Sequence, residues 1–358
     1  MLIYILIIIL LISFSFLEIL LDGDKNPKIR FLNFFLCFLP ILLIVIFRST
    51  GFDFNAYYSA FETLHASGIK DLTGDIQFEP GFIFLNVISP SFLFLIVLIG
   101  SFSLILKYVL INKLSPYPIV SLLILFFSYV LIFEMGQIRQ ALAMGILLYA
   151  LLFYKEKKKI LLLIVIAALF HYSSLIFLLA LIIPHDFKKW YYYVSLLLVA
   201  NLLFIVVEPL LHFAAGLLPG FSGSKLLLYY EMEKGEGSIS IPLLTSRLLL
   251  LAVYYWLRVK NDSFQDKPLY DYIFNLYFFS VFIYLGFSFF PQISGRGGAY
   301  FAIFEILLIP IVLKGFELIY ARVLFFVFFI SIFLLTFIMF LIKWGESFIP
   351  YTTWLFEF

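Results

Sequence analysis

The stretch "KEKKKILLLIVIAALFHYSSLIFLLALIIPHDFKKW" (155–190) holds one apolar run, about 160–183, between two basic segments. Short loops rich in Lys and Arg stay on the cytoplasmic side of a membrane, so "KEKKK" and "HDFKKW" both belong there. A run that crossed once would put them on opposite sides. A run that enters, turns and returns as two half-helices keeps them together, with its turn at "FHYSS" (170–174), around His171, Ser173 and Ser174. Non-helical backbone at that depth is tolerated where protein buries it or water reaches it, and a His-Tyr-Ser-Ser turn suits a water-accessible cavity. The re-entrant path keeps 16 of the 24 Lys and Arg residues inside, Lys107 among them, against 14 for a single crossing. It is the preferred topology.

Composition agrees with membrane residence along the whole chain. Hydrophobic residues make up 64% of the 358 and charged residues 13%, about half the charged share of a soluble domain. Apolar runs of about 18 residues or more recur, each long enough for a hydrocarbon core of about 30 Å. Helices are expected at about 1–21, 30–47, 81–106, 117–133, 137–154, 160–183, 191–211, 241–257, 269–289, 299–319 and 323–342. This is an all-α, polytopic helical membrane protein with about 10–11 transmembrane helices in a single membrane domain, 1–358. The first 21 residues lack a basic n-region and a cleavage site, so they read as a retained helix. With a single cysteine, Cys37, the chain can form no intrachain disulfide. On the re-entrant path both termini lie outside, together with segments 48–80, 134–138, 212–240 and 290–298.

The conspicuous polar groups gather toward that outer side. Arg139 opens an apolar run, with Glu134, Gln137 and Gln140 beside it and small Ala141, Ala143 and Gly145 following. An isolated charge at membrane depth costs about 2.5 kcal/mol or more, so something must offset it. A snorkelling side chain is the plainer account, but a guanidinium also presents a fork of donors suited to phosphate oxygens. In "FRSTGFDFNAYYSAFE" (47–62), Arg48 emerges on the outer side against the usual bias, with Asp53, Tyr57 and Tyr58 close behind. "FEPGF" (78–82) sets Glu79 at a helix start, where it suits the helix dipole or can serve as a general base. His171 is a candidate for catalysis or substrate contact against the plainer reading of a satisfied buried histidine. Metal ligation is not expected, since His65, His185 and His212 are scattered without ligand spacing. "QISGRGGAYF" (292–301) puts Arg296 in a glycine-flanked turn before Tyr300, a weak anion-binding signal and no P-loop. No nucleic-acid partner is expected.

In this order, "FRSTGFDFNAYYSAFE", "EPGF", "GQIRQALAMGILL", "ALFHYSSLIFLLAL" and "GRGGAYF" resemble the EpsG/Wzy-type family of bacterial polysaccharide polymerases. The resemblance implies a GT-C-like, multi-spanning glycosyltransferase in the bacterial cytoplasmic membrane. Its substrate would be a sugar repeat unit on polyprenyl (usually undecaprenyl) diphosphate, presented at the outer face. No cofactor or metal is implied; a flippase and a chain-length regulator are the implied partners. Capsule, exopolysaccharide and O-antigen stay open as products. Within that chemistry, His171, Glu79 and Arg139 are the candidate catalytic residues. Arg48, Asp53, Tyr57, Gln140, Arg296 and Tyr300 are candidates for substrate binding. A flippase for the same lipid-linked sugars is the main alternative, although no counterpart of "FHYSS" appears in the other half of the chain. A membrane-bound sugar acyltransferase is the second.

Overall fold

The computed structural model describes residues 1–22, 26–67, 78–203, 206–217, 240–260, 267–288 and 293–354, with 224, 227, 228, 231 and 290 between them. Lys25, the middle of segment 48–80 (68–77) and most of 212–240 lie outside the described residues. Residues 291 and 292 of segment 290–298 do so too. The described chain is helical without a β-strand. Among the described residues, five helices are long and apolar enough to cross a membrane: α1 (Leu2–Leu20), α2 (Pro27–Ile46), α5 (Phe92–Leu114), α12 (Pro268–Gly286) and α15 (Ile319–Trp344). The others are α3 (Phe54–Ser67), α4 (Pro80–Ile88), α6 (Pro118–Leu125), α7 (Ile138–Leu148), α8 (Lys157–Ala168), α9 (Trp190–Leu202), α10 (Val207–Leu217), α11 (Ile241–Lys260), α13 (Gly298–Ala302) and α14 (Glu305–Gly315).

The unbroken spans are fewer than the apolar runs because several runs break. The run 81–106 divides between α4 and α5 at Ser89-Pro90-Ser91. Proline holds the preceding residue extended, and Ser89 has φ −83° and ψ 122°. Ser91 then caps α5 by accepting from Phe94 N–H at 3.2 Å. After α6 the chain widens into a π-helical stretch, Phe126–Glu134, and α7 tightens into a 3₁₀ turn, Tyr149–Phe153. The run 299–319 bends by 46° between α13 and α14; counted as one span, it is the sixth.

The run 160–183 is a hairpin. α8 stops at Ala168, His171 is extended (φ −156°, ψ 112°), and a 3₁₀ segment, Tyr172–Leu181, packs back against α8. At about 1.5 Å per α-helical residue and about 2.0 Å per 3₁₀ residue, each arm spans about 20 Å, short of the membrane core. The two ends of the run also meet. Tyr154, just before α8, lies 5.9 Å ring to ring from His185, and both rings pack on Tyr272. A second contact fixes the same parity. Asp22, in the left-handed region (φ 53°) after α1, accepts from Tyr117 Oη and Lys314 Nζ, each at 2.7 Å, and from Arg322. Partial burial pushes the Asp22 carboxyl up; Lys314, Tyr117 and Arg322 outweigh that and leave it at about 2. A single crossing at 160–183 would put Asp22 and Lys314 on opposite sides.

α6, α7 and α14 form the middle of the bundle, with nearly every residue buried, as helices apolar all round must be. The outer helices turn large side chains such as Leu2, Leu324 and Ile342 outward, which lipid accepts. Small polar groups stitch the middle together. The Glu18 carboxylate accepts from Ile119 and Val120 N–H at 3.0 and 3.1 Å, capping α6, and Ser121 Oγ donates to Ile306 O at 2.6 Å.

One charge is not where its spacing suggests. Lys107 counts as a loop lysine in "KYVLINK", yet it lies inside α5, buried, with Nζ 2.8 Å from Glu134 and donating to Ala141 O at 2.7 Å. The inner count thereby falls from 16 to 15. Gly145 makes room: a Cβ there would lie 3.2 Å from Lys107 Nζ.

Two measurements test this architecture. Lys157→Cys and Lys188→Cys, one on each side of the hairpin, will respond alike to a membrane-impermeant maleimide, the native Cys37 being fully buried; opposite responses would mean a single crossing. Lys107→Met leaves a buried carboxylate unpaired and will cost about 3–5 kcal/mol of unfolding free energy. Adding Glu134→Gln will recover most of that loss in the melting temperature.

Candidate functional site

Glu79 sits at the N-cap of α4, with Pro80 in the first turn, where its missing N–H costs nothing. The next residue presses that helix end onto the break of the hairpin. Gly81 N–H donates to Leu169 O at 2.8 Å, and a Cβ on Gly81 would lie 2.7 Å from that same oxygen. The close approach delivers the Glu79 carboxylate to His171. Oε1 accepts from His171 Nδ1 at 2.9 Å and from Tyr172 N–H at 3.2 Å, while Oε2 accepts from Arg139 Nη1. Three segments remote in sequence thus share one carboxylate.

Exposure is graded across the cluster: 5% for the Glu79 side chain, 16% for Arg139 and 21% for His171. The carboxylate is sealed, whereas the imidazole and the guanidinium reach accessible space. A carboxylate paired with arginine can only accept, so Nδ1 carries a proton, and in the neutral ring Nε2 presents its lone pair. Nε2 has no hydrogen-bond partner among the described residues.

Arg139 stands in an aromatic cradle. Its guanidinium carbon lies 4.6 Å from the Phe78 ring centroid, 5.5 Å from Phe82 and 5.8 Å from Tyr57. Those rings pack on one another, so cation–π attraction and an ion pair together hold a charge that lipid would not. Tyr57 is itself buried and forms the cradle wall; no face of it is left for a sugar ring. Asp53 precedes α3, accepts Tyr57 N–H with its main-chain oxygen at 2.9 Å, and has a half-buried side chain.

The remaining candidates divide between bracing and access. Arg48 is buried; its Nε donates to Met135 O at 3.0 Å and its Nη1 to Val45 O at 2.6 Å. It braces the turn that launches α7 from behind and does not reach the accessible cluster. Gln140 Nε2 donates to Arg296 O at 2.7 Å, and Ser173 Oγ lies 2.9 Å from Tyr300 Oη. These bonds pin α7 and the hairpin to residues 293–302. Tyr300 is buried, whereas Arg296 is half-buried and close enough for its charge to act on His171. Among the described residues no three His, Cys, Asp or Glu groups converge as a metal site.

Two further charged residues carry the signal that marks Arg139 and were not singled out from the sequence. Arg247 and Glu305 each sit inside an expected apolar run, and both line a cavity that Arg296 also borders. A lone charge in such a run is the cue.

An arginine, a carboxylate and a histidine thus meet at a re-entrant turn inside a bundle of broken apolar helices. The chain belongs to the EpsG family, whose sequence model matches residues 31–353, nearly its whole length. EpsG is a Wzy-type polysaccharide polymerase family. No curated protein and no solved structure matches the chain.

Gly81→Ala tests the close approach that makes the cluster. The added methyl will push α4 off Leu169 and draw Glu79 away from His171, with a loss of about 100-fold in polymer-forming activity for a displacement of about 1 Å. The clash is with main-chain atoms, so the melting temperature will fall as well, and activity is read per mole of folded protein.

Proposed function

We propose that this protein joins polyprenyl-diphosphate-linked oligosaccharide repeat units at the outer face of the bacterial cytoplasmic membrane. Arg139, Glu79 and His171 form its reaction centre. The observation that carries the proposal is the sharing of the Glu79 carboxylate between His171 Nδ1 and Arg139. It leaves an imidazole lone pair and a guanidinium side by side in accessible space.

The chemistry follows from those two groups. His171 Nε2 takes the proton of the acceptor hydroxyl as that oxygen attacks the anomeric carbon. The bond from that carbon to the diphosphate breaks, and its electron pair leaves on the phosphate oxygen. Arg139, with Arg296 nearby, stabilises the charge that grows there. A direct displacement inverts the anomeric centre. Glu79 keeps the imidazole in the useful tautomer and is itself a positioning residue, since its oxygens are both engaged.

The test is complementation of a deletion strain, with surface polysaccharide resolved on a gel and turnover measured in membranes. His171→Ala will lose about 10²–10⁴ in turnover and leave single repeat units on the gel. Glu79→Gln, which can hold the opposite tautomer, and Arg139→Lys, which keeps the charge but loses the fork, will do the same to lesser degrees. Long chains of normal length in all three variants would overturn the proposal. Lipid-linked units trapped on the cytoplasmic side would favour a flippase instead.

A further inference from the structure

A second polar cavity of about 390 Å³ lies between the π-helical stretch Phe126–Glu134, α11, α15 and residues 295–305. None of Glu79, Arg139 and His171 lines it, but it borders their site. Arg296 lies on its wall, and the Arg296 carbonyl is bonded to Gln140, the neighbour of Arg139. Besides Arg296 its polar lining includes Gln137, Arg247 and Glu305, with the hydroxyls of Ser128, Ser246 and Thr336, and its aromatic residues include Tyr129, Phe333 and Phe340.

Two of these polar groups are incompletely satisfied. Arg247 Nε and Gln137 Oε1 are buried atoms without a hydrogen-bond partner among the described residues. Leaving such an atom unmet is unfavourable, and here one is a donor and the other an acceptor. Glu305 adds a buried carboxylate, held by Tyr129 Oη at 2.9 Å and Tyr277 Oη at 3.3 Å, that still has lone pairs to offer. A phosphate diester could meet Arg247, but it only accepts and would leave Gln137 Oε1 unmet. A hydroxyl both donates and accepts. Aromatic side chains around a few convergent polar groups, in a volume within the range of ligand pockets, complete a site for about one or two pyranose rings.

We infer that this cavity is a glycan subsite that binds the hydroxyl-rich sugars of a repeat unit beside the reaction centre, through Arg247, Gln137 and Glu305. The inference rests on the polymerase reading for the identity of its ligand. It assigns the cavity to sugar and leaves the diphosphate to Arg139 and Arg296. The growing glycan is then gripped by groups that do not take part in bond making. Arg247 is steadied by the Tyr284 ring, 5.1 Å from its guanidinium carbon, so the donor is held in place before the sugar arrives.

The test uses the full-length protein in lipid nanodiscs and two probes. One is the phosphate-free repeat-unit oligosaccharide, released by mild acid from lipid-linked units of the deletion strain; the other is inorganic pyrophosphate. Oligosaccharide affinity will fall about tenfold or more in Arg247→Gln and in Glu305→Gln. Pyrophosphate will not compete with the oligosaccharide. Thr336→Phe fills the cavity from α15 without removing any of its charged groups, since Thr336 Oγ1 bonds only within its own helix, to Phe333 O. It will also abolish oligosaccharide binding while leaving the melting temperature near that of the parent, which separates loss of the site from loss of the fold. His171→Ala will still bind the oligosaccharide. Unchanged oligosaccharide affinity in Thr336→Phe, or competition by pyrophosphate that depends on Arg247, would overturn the inference. Failure of the polymerase reading shows separately, as normal polymer from His171→Ala cells.

Discussion

A carboxylate buried in a bundle of apolar helices needs donors on both oxygens, and Glu79 finds them on two neighbouring elements. Arg139 comes from the start of α7, His171 and Tyr172 from the break of the hairpin. Remove the carboxylate and an arginine is left at membrane depth with only ring faces for company, beside a histidine free to rotate. The site geometry and the tolerability of its charges therefore have one cause. The glycine after Pro80 is what lets the carboxylate come that close.

The same logic recurs at a distance from the site. Lys107 and Glu134 neutralise each other between α5 and the end of the π-helical stretch, and Lys107 also holds Ala141 O at the first turn of α7. Arg48 holds Met135 O in the turn between them. Each of these charges would cost about 2.5–3.5 kcal/mol alone at the bilayer centre. Together they fix residues 134–141 from two sides, so Arg139 projects from a segment with little freedom to shift. Precision at the proposed reaction centre depends on such surroundings as much as on the reacting groups.

Much of this was readable in the residues, and what was not has identifiable reasons. The hairpin follows from lysines at both ends of one apolar run, because charge parity is a property of the chain alone. Glu79, Arg139 and His171 were each conspicuous as polar groups in or beside apolar runs. That one carboxylate serves both partners was not readable, since the pairs are 60 and 92 residues apart and depend on helix packing. Lys107 has the spacing of a loop lysine and a different fate because α5 continues past it to Leu114. Tyr57 and Tyr300 look like interfacial aromatics, yet both are buried, one under the Arg139 guanidinium and one against Ser173. Apolar length alone could not tell continuous spans from runs broken at Pro90, at the hairpin or before Glu305.

The brace behind the site also carries a demand on the order of assembly. Arg48 forms a bridge with Thr353; Ser49 N–H donates to Thr352 O, Trp354 N–H to Phe47 O, and Tyr4 Oη to Phe348 O. The ribosome delivers Phe348 through Trp354 about three hundred residues after Arg48, so the first two helices stand in the bilayer with that corner open until those residues follow. A nascent chain that has not reached residue 348 would hold the Arg48 guanidinium by Val45 O and Met135 O alone, without the main-chain contacts that later close over it.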